Sequence, residues 1–281
     1  MNTDTILDIS VIIPFKDKAA MTLQAVNSLL KYGPKIKEIL LVSNNSNDVE
    51  LDKIKEALLK LPLDTIKLLV YNHPFNYQKI NNWAVEKSSG KFILFLNNDT
   101  ELVEESRGIL EKMYAKASLP NVGITGCLLL YGDKKTIQHA GVFLMPKGMA
   151  DHLYVGKKLS KVRKEGGHTK EFPYSIDEDR QMTSVTGAVN IIERKKFDEV
   201  EGFDERFIIG GGDVDLCIRL NKSGNQTWYV AGGHIIHKES QSRAHKPVTY
   251  NDFYYSYLSY IQAYDPEVGD PFLPKITREI R

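Results

Sequence analysis

Three clusters in the chain combine residue types at spacings that could do chemistry. Asn97-Asn98-Asp99 closes an apolar run. Gly210-Gly211-Gly212-Asp213-Val214-Asp215 opens a helical stretch, and a third cluster runs from Gly233-His234 through His237 to Arg243. A carboxylate at the carboxyl end of a strand, beside two amides, can ligate a hard divalent cation through oxygen. A neutral imidazole such as that of His237 can complete the site, and the guanidinium of Arg243 can grip phosphate oxygens in a bidentate fork. The glycines before Asp213 let backbone approach a ligand closely. Each feature also has a plain structural reading. Asp99 could close an Asx turn or cap a helix. Asp213 and Asp215 could simply favour a helix dipole, and His237 could be a satisfied core histidine. Asp99, Asp213 and His237 each follow a different strand or glycine turn, and this recurrence favours the chemical reading.

The elements that must position these clusters are written in the apolar pattern. Short apolar runs at 9–13, 38–42, 66–71, 92–96 and 122–130 predict strands, and helical spacing at 19–31, 49–61, 77–88 and 102–117 predicts the helices between them. Asp48 and Asn76 are expected N-caps. Runs apolar on both faces predict a parallel sheet covered by helices, an open α/β layer built with right-handed crossovers. In such a sheet ligands bind outside the carboxyl ends of the strands, which is where Pro14-Phe15-Lys16-Asp17, the Ser43-Asn44 segment and Asn97-Asn98-Asp99 fall. Neither GxGxxG nor GxxxxGK[ST] occurs, so a bound nucleotide needs another device.

Beyond Tyr131 the pattern degrades into a polar stretch up to about Met182. Its segment 157–170 holds six Lys and Arg residues, readable as a solvated loop or as a mobile flap over an anionic ligand. Regular structure is expected again at 186–192, 214–222 and 226–230. In the Tyr-rich tail from Ala244, Tyr254, Tyr257, Leu258 and Ile261 recur at helical spacing. That spacing predicts a face packed on the core, with a membrane-interface contact or an aromatic platform for sugar rings as the alternatives.

Composition removes several classes. Thirty-seven Lys and Arg against 36 Asp and Glu give a net charge of +1 over 281 residues, so no long-range basic field exists to hold nucleic acid. Apolar residues at 42% and charged residues at 26% argue against disorder and coiled coil. Cys127 and Cys217 stand far apart with no Cys/His cluster beside either, which disfavours a zinc knuckle or disulfide framework and suits a reduced, intracellular protein. The segment 1–8 has no basic region ahead of an apolar run, and no stretch approaches a membrane span. The expectation is a cytoplasmic protein, with the inner face of the membrane as a candidate place of peripheral contact.

These residues resemble the inverting family 2 glycosyltransferases of the GT-A fold over about 9–243. Ser10-Val11-Ile12-Ile13-Pro14 is similar to that family's first strand, and Leu94-Phe95-Leu96-Asn97-Asn98-Asp99-Thr100 to its DxD-type strand end. Gly202-Phe203-Asp204-Glu205 and Gly212-Asp213-Val214-Asp215 are similar to its GFDE and ED-type segments. A narrower likeness, in Thr136-Ile137-Gln138-His139-Ala140-Gly141, the segment 237–243 and Tyr264-Asp265-Pro266, points to the bacterial subgroup that assembles surface polysaccharides.

The resemblance implies one GT-A domain over 1–243, with a nucleotide-binding half to about 130 and an acceptor and catalytic half from 131. A helical tail over 244–281 would pack on it. It implies that Asp99 and His237 ligate Mn²⁺ or Mg²⁺, that Pro14, Asp17, Asn44, Asn97, Asn98 and Arg243 surround the nucleotide sugar, and that Gly187, Ala188 and Gly212 line the acceptor side. Asp213 is the expected catalytic base, with Asp215 next in line. The partners are then a nucleotide-diphosphate sugar donor and a glycan or lipid-linked glycan acceptor. Two departures stand out: Asn97 replaces the first DxD acid, and Ser43 replaces a frequent acid after the second strand. They support a second reading, a non-catalytic glycan- or nucleotide-sugar-binding domain of the same fold. A nucleotidyltransferase fits less well, because no glycine-rich basic loop follows the first strand.

Overall fold

The computed structural model describes residues 5–61, 65–169, 172–238 and 249–273. The amino-terminal half runs β1 (Leu7–Phe15), α1 (Ala19–Tyr32), β2 (Ile36–Ser43), α2 (Asp48–Leu58), β3 (Ile66–Val70), α3 (Tyr77–Glu86) and β4 (Phe92–Leu96). There follow β5 (Thr100–Glu101), α4 (Ile109–Ala117), β6 (Val122–Tyr131), β7 (Ile137–His139), β8 (Val142–Met145), β9 (Met149–His152) and α5 (Leu159–Lys164). The remainder is β10 (Arg180–Met182), β11 (Val189–Glu193), α6 (Arg194–Glu199), α7 (Gly212–Lys222), β12 (Gln226–His237) and α8 (Tyr250–Tyr260).

Ten strands form one sheet with the order β10-β12-β6-β11-β4-β1-β2-β3, β5 adding to β12 and β7 to β6. Strands β1 to β4 are parallel to one another, as expected for runs buried on both faces. Strand β11, from the carboxyl-terminal half, runs the other way. It inserts antiparallel between β4 and β6, so the sheet is mixed at its centre. The two faces carry separate cores. Val11, Ile13 and Leu94 pack with Val26, Ile109 and Met113 on one side. On the other, Ile12, Val42 and Phe95 pack with Ile80, Phe203 and Leu216. Phe95 meets Phe197 and Phe203 at ring-centroid distances of 5.6 and 5.0 Å, pairs that each add about 0.5–1.5 kcal/mol beyond burial.

Several local expectations need correction. The cap of α2 is Asn47, whose side chain accepts from Glu50 N–H at 3.0 Å, while Asp48 is already helical. Asn76 caps α3 as expected. The predicted helix 102–117 is broken, because Gly108 at φ 79° separates a short 3₁₀ turn from α4. The described part of the stretch to Met182 is packed: Leu128, Phe143, Tyr154, Val162, Phe172 and Met182 form a third core cluster. Within the basic segment, α5 buries Leu159 and Val162 while Lys158 pairs with Asp133 and Arg163 with Asp177. Lys170 lies outside the described residues.

The tail helix was expected to bury Tyr254, Tyr257, Leu258 and Ile261, yet these stay exposed and α8 is anchored by buried Asp252 and Tyr260. Asp252 accepts backbone N–H bonds from Ile208 and Ile209, so a polar residue, invisible to hydrophobic periodicity, fixes the docking face. No helix among the described residues is long and apolar enough to cross a membrane.

Candidate active site

The carboxyl ends of β2, β1 and β4 lie side by side through the parallel pairings of β1. Strand β12 reaches the same edge because a register shift between Val230 and His234 carries it past Gly232, at φ 101°. A strand expected only over 226–230 thereby runs twelve residues and ends with His237 opposite Thr100 of β5. That pairing brings the last imidazole of β12 to the turn that follows β4.

The geometry there is close. His237 Nε2 stands 3.0 Å from Asp99 Oδ1 and 3.3 Å from the Asn97 side-chain nitrogen. Both Asp99 and His237 are buried. On its other side, His237 Nδ1 lies 2.7 Å from Gln138 Oε1. An amide oxygen needs a donor, so Nδ1 carries a proton and the ring turns its Nε2 toward the Asp99 carboxylate. Two acceptors at that separation call for a proton or a cation between them. A carboxylate oxygen and an imidazole nitrogen oriented by an outer amide are a fitting donor set for Mn²⁺ or Mg²⁺. Among the described residues no group of three or more His, Cys, Asp and Glu side chains gathers that could hold a metal; Asp99 and His237 are the pair that meets here.

The site opens on a cleft of about 470 Å³ whose lining includes Asn97, Gln138, His152, Gly187, Asp213 and His237. Asp213 enters it from the first turn of α7. Its Oδ2 accepts from Gly187 N–H at 2.7 Å and its Oδ1 from Val214 N–H at 3.0 Å. A Cβ at Gly187 would stand 3.3 Å from that of Asp213, so glycine lets the two segments meet. Tyr77 Oη lies 3.0 Å from both Asn97 Oδ1 and the Gly187 carbonyl, tying the β4 end to the Asp213 wall. Gly212, expected on the acceptor side, does not line the cleft: it is buried against Gln78, which a Cβ would approach to 2.6 Å. Tyr260 Oη donates to the Gly211 carbonyl at 2.9 Å. Burial, with Asp213 nearby, pushes that phenol well above its ordinary value and keeps it a neutral donor.

Other expected residues fall elsewhere. Asp215 is turned away from the cleft, held by Arg219 Nε and Ser259 Oγ at 2.7 Å each in a separate groove between α7 and α8. Asn98 points toward α1 and donates to Thr22 Oγ1 at 3.1 Å; it supports the turn from behind. Pro14, Asp17 and Asn44 do not line the cleft. They sit at the ends of β1 and β2, where Asp17 accepts from Asn47 and Asn44 donates to the Tyr71 and His73 carbonyls. Ala188 lines the cleft beside Gly187, and Arg243 lies outside the described residues. Sequence reasoning missed Tyr77, Gln138 and His152. Gln138 was quoted within a motif without a role, and Tyr77 hides behind its N-cap.

The family described as "Glycosyl transferase family 2" matches residues 10–168. The chain is 39% identical over 268 residues to "O-antigen biosynthesis protein RfbC" of Myxococcus xanthus, which covers 94% of this chain and 20% of that protein. It thus spans about a fifth of that relative's length. "Rhamnosyltransferase WbbL" of Escherichia coli (strain K12) is 25% identical over 209 residues, 70% of this chain and 72% of that protein. The fold is shared with the structure described as "GalNAc-T7 with UDP, GalNAc and Mn2+", at a TM-score of 0.70 and 17% identity over 92% of this chain and 49% of the other.

Proposed function

The chain belongs to glycosyl transferase family 2, and from that premise we propose that it moves a sugar from a nucleotide-diphosphate sugar to a hydroxyl of a growing bacterial surface glycan. The reaction would invert the anomeric carbon and depend on Mn²⁺ or Mg²⁺. The observation that carries this reading is the meeting of Asp99 and His237 at 3.0 Å, with His237 lining the same cleft as Asp213. The names of RfbC and WbbL support a surface-glycan acceptor and a hexose or deoxyhexose donor. The Mn²⁺ and UDP of the GalNAc-T7 structure support the cofactor and the donor class.

Asp99 and His237 would hold the cation, whose charge, when it is bound, offsets that of the departing diphosphate. Pro14, Asp17 and Asn44, next along the sheet edge, are proposed to frame the nucleoside. Arg243 is proposed for the diphosphate. Gly187 and Ala188 would line the acceptor side, where the Asp213 carboxylate takes the proton of the attacking hydroxyl. The Gly187 N–H bond to Asp213 supports that role by fixing where its carboxylate sits. Peripheral contact with the membrane of a lipid-linked acceptor is supported by the exposed Tyr250, Phe253, Tyr254 and Tyr257 of α8.

A thermal-shift screen of UDP-, dTDP- and GDP-sugars with and without Mn²⁺ tests the reading. One nucleotide class should raise the midpoint only when Mn²⁺ is present, a ligand at a hundred times its Kd adding about 2.7 kcal/mol. Asp99→Ala should abolish the increment. A midpoint that no nucleotide moves would sink the proposal. Slow release of nucleoside diphosphate without acceptor would separate an enzyme from a binding domain.

A further inference from the structure

Behind the cleft wall lies a pair of histidines to which the chemistry above gives no task. His139, at the end of β7, is fully buried, and its Nδ1 stands 2.8 Å from Nδ1 of His152, which ends β9 and lines the cleft. The two rings meet nearly edge to face. The second nitrogen of His139, Nε2, accepts the N–H of Gly141 at 3.3 Å. A nitrogen that accepts an amide proton carries none, so the proton of neutral His139 sits on Nδ1 and is given to His152. Nδ1 of His152 is therefore an acceptor and its proton resides on Nε2. A charged His152 would set two protons between the facing nitrogens, which 2.8 Å forbids. Burial, reinforced by His152 and His237, also holds the His139 imidazole well below its ordinary value and so neutral.

We propose that His152 is a sugar-recognition residue, giving a neutral Nε2–H to a hydroxyl or ring oxygen of a sugar in the cleft, and that His139 is the positioning residue that fixes this tautomer. A single uncharged donor suits a sugar oxygen; a diphosphate would call for positive charge. The inference rests on the glycosyltransferase reading and deepens it. The sugar belongs either to the donor or to the acceptor.

The test compares the wild type with His152→Leu, His152→Gln, His139→Leu and His139→Asn. Gln keeps an N–H near the Nε2 position, and Asn keeps one near Nδ1. Calorimetric titrations in Mn²⁺ use UDP, dTDP and GDP against UDP-glucose, dTDP-rhamnose and GDP-mannose. If the donor sugar is the partner, both Leu variants lose about tenfold of the affinity that the sugar adds, while nucleoside diphosphate binding is unchanged. If the acceptor is the partner, donor binding and slow hydrolysis are unchanged, and transfer to a panel of alkyl glycosides falls about tenfold through KM. In either case Gln and Asn restore most of the loss. Unchanged binding and transfer in the Leu variants would overturn the inference, as would equal losses in Leu and rescue variants. Should His139→Leu fail to fold, the two partly exposed His152 variants carry the comparison alone. A wild type that binds none of the nucleotides would overturn the glycosyltransferase reading and this inference with it, whereas bound nucleotide with no change in the sugar increment or in transfer overturns the inference only.

Discussion

At the scale of single residues, Asp213 and His237 make different demands on their surroundings. Asp213 must remain an acceptor of fixed direction, and two backbone N–H groups hold it so. Replacing it by Asn keeps the shape but removes the basic oxygen. Asp213→Asn should leave nucleotide affinity near that of the wild type and lower kcat by roughly 10²- to 10⁴-fold, measured by steady-state transfer beside calorimetry. His237 depends on Gln138 for its orientation. Gln138→Ala should therefore weaken Mn²⁺ binding about 10- to 100-fold with an unchanged fold, read by titrating the metal against a fixed nucleotide. Asp99 and His237 stood out because each closes an apolar run, and Asp213 because three glycines precede it. Gln138 and Tyr77 were not, since their task is to orient another side chain and that partnership exists only after folding. Asp215 shows the converse error: its spacing matched, but the helix turns it to the opposite side, where Arg219 takes it up.

At the scale of elements, the parallel strands could be read because burial on both faces leaves an unbroken apolar run. The direction of β11 could not, because such a run looks the same in either orientation. Helix breaks were equally hidden, as with Gly108, whose left-handed backbone divides what apolar spacing reads as one helix. The strands β1, β2 and β3 are tied together by one buried acid. Glu38 accepts from Ser10 Oγ at 2.6 Å, from Ser89 N–H at 2.6 Å and from Lys67 Nζ at 2.7 Å. Burial alone would raise its pKa, yet these donors hold it down to about 2, from an ordinary 4.5. The carboxylate thus contributes stability that is fully present above about pH 4.5 and is lost as the pH falls toward 2. Glu38→Gln should lower the midpoint at neutral pH and flatten its decline across that acid window, measured by calorimetry at a series of pH values.

At the scale of the whole molecule, α8 joins the parts that form the cleft. Asp252 holds Ile208 and Ile209, Tyr260 holds Gly211, and Ser259 holds Asp215. Phe253, Ser256 and Tyr260 also line the cleft. Asp252→Ala would leave the Ile208 and Ile209 N–H groups without their partner, at about 1–3 kcal/mol for each one left buried and unsatisfied. The expected outcome is a lower midpoint together with a reduced kcat, because the loop leading into Asp213 loses its anchor; Asp252→Asn should recover part of both. Helical spacing announced this helix but gave it the wrong inner face, since a capping carboxylate and a phenol outweigh the aliphatic stripe. The latch also sets an order of events during synthesis. Strands β1 to β4 can collapse as they leave the ribosome, but the glycine-rich loop stays unclamped until α8 emerges. The wall that carries Asp213 therefore sets only once α7 and α8 have both been made, well after the parallel strands whose edge it faces.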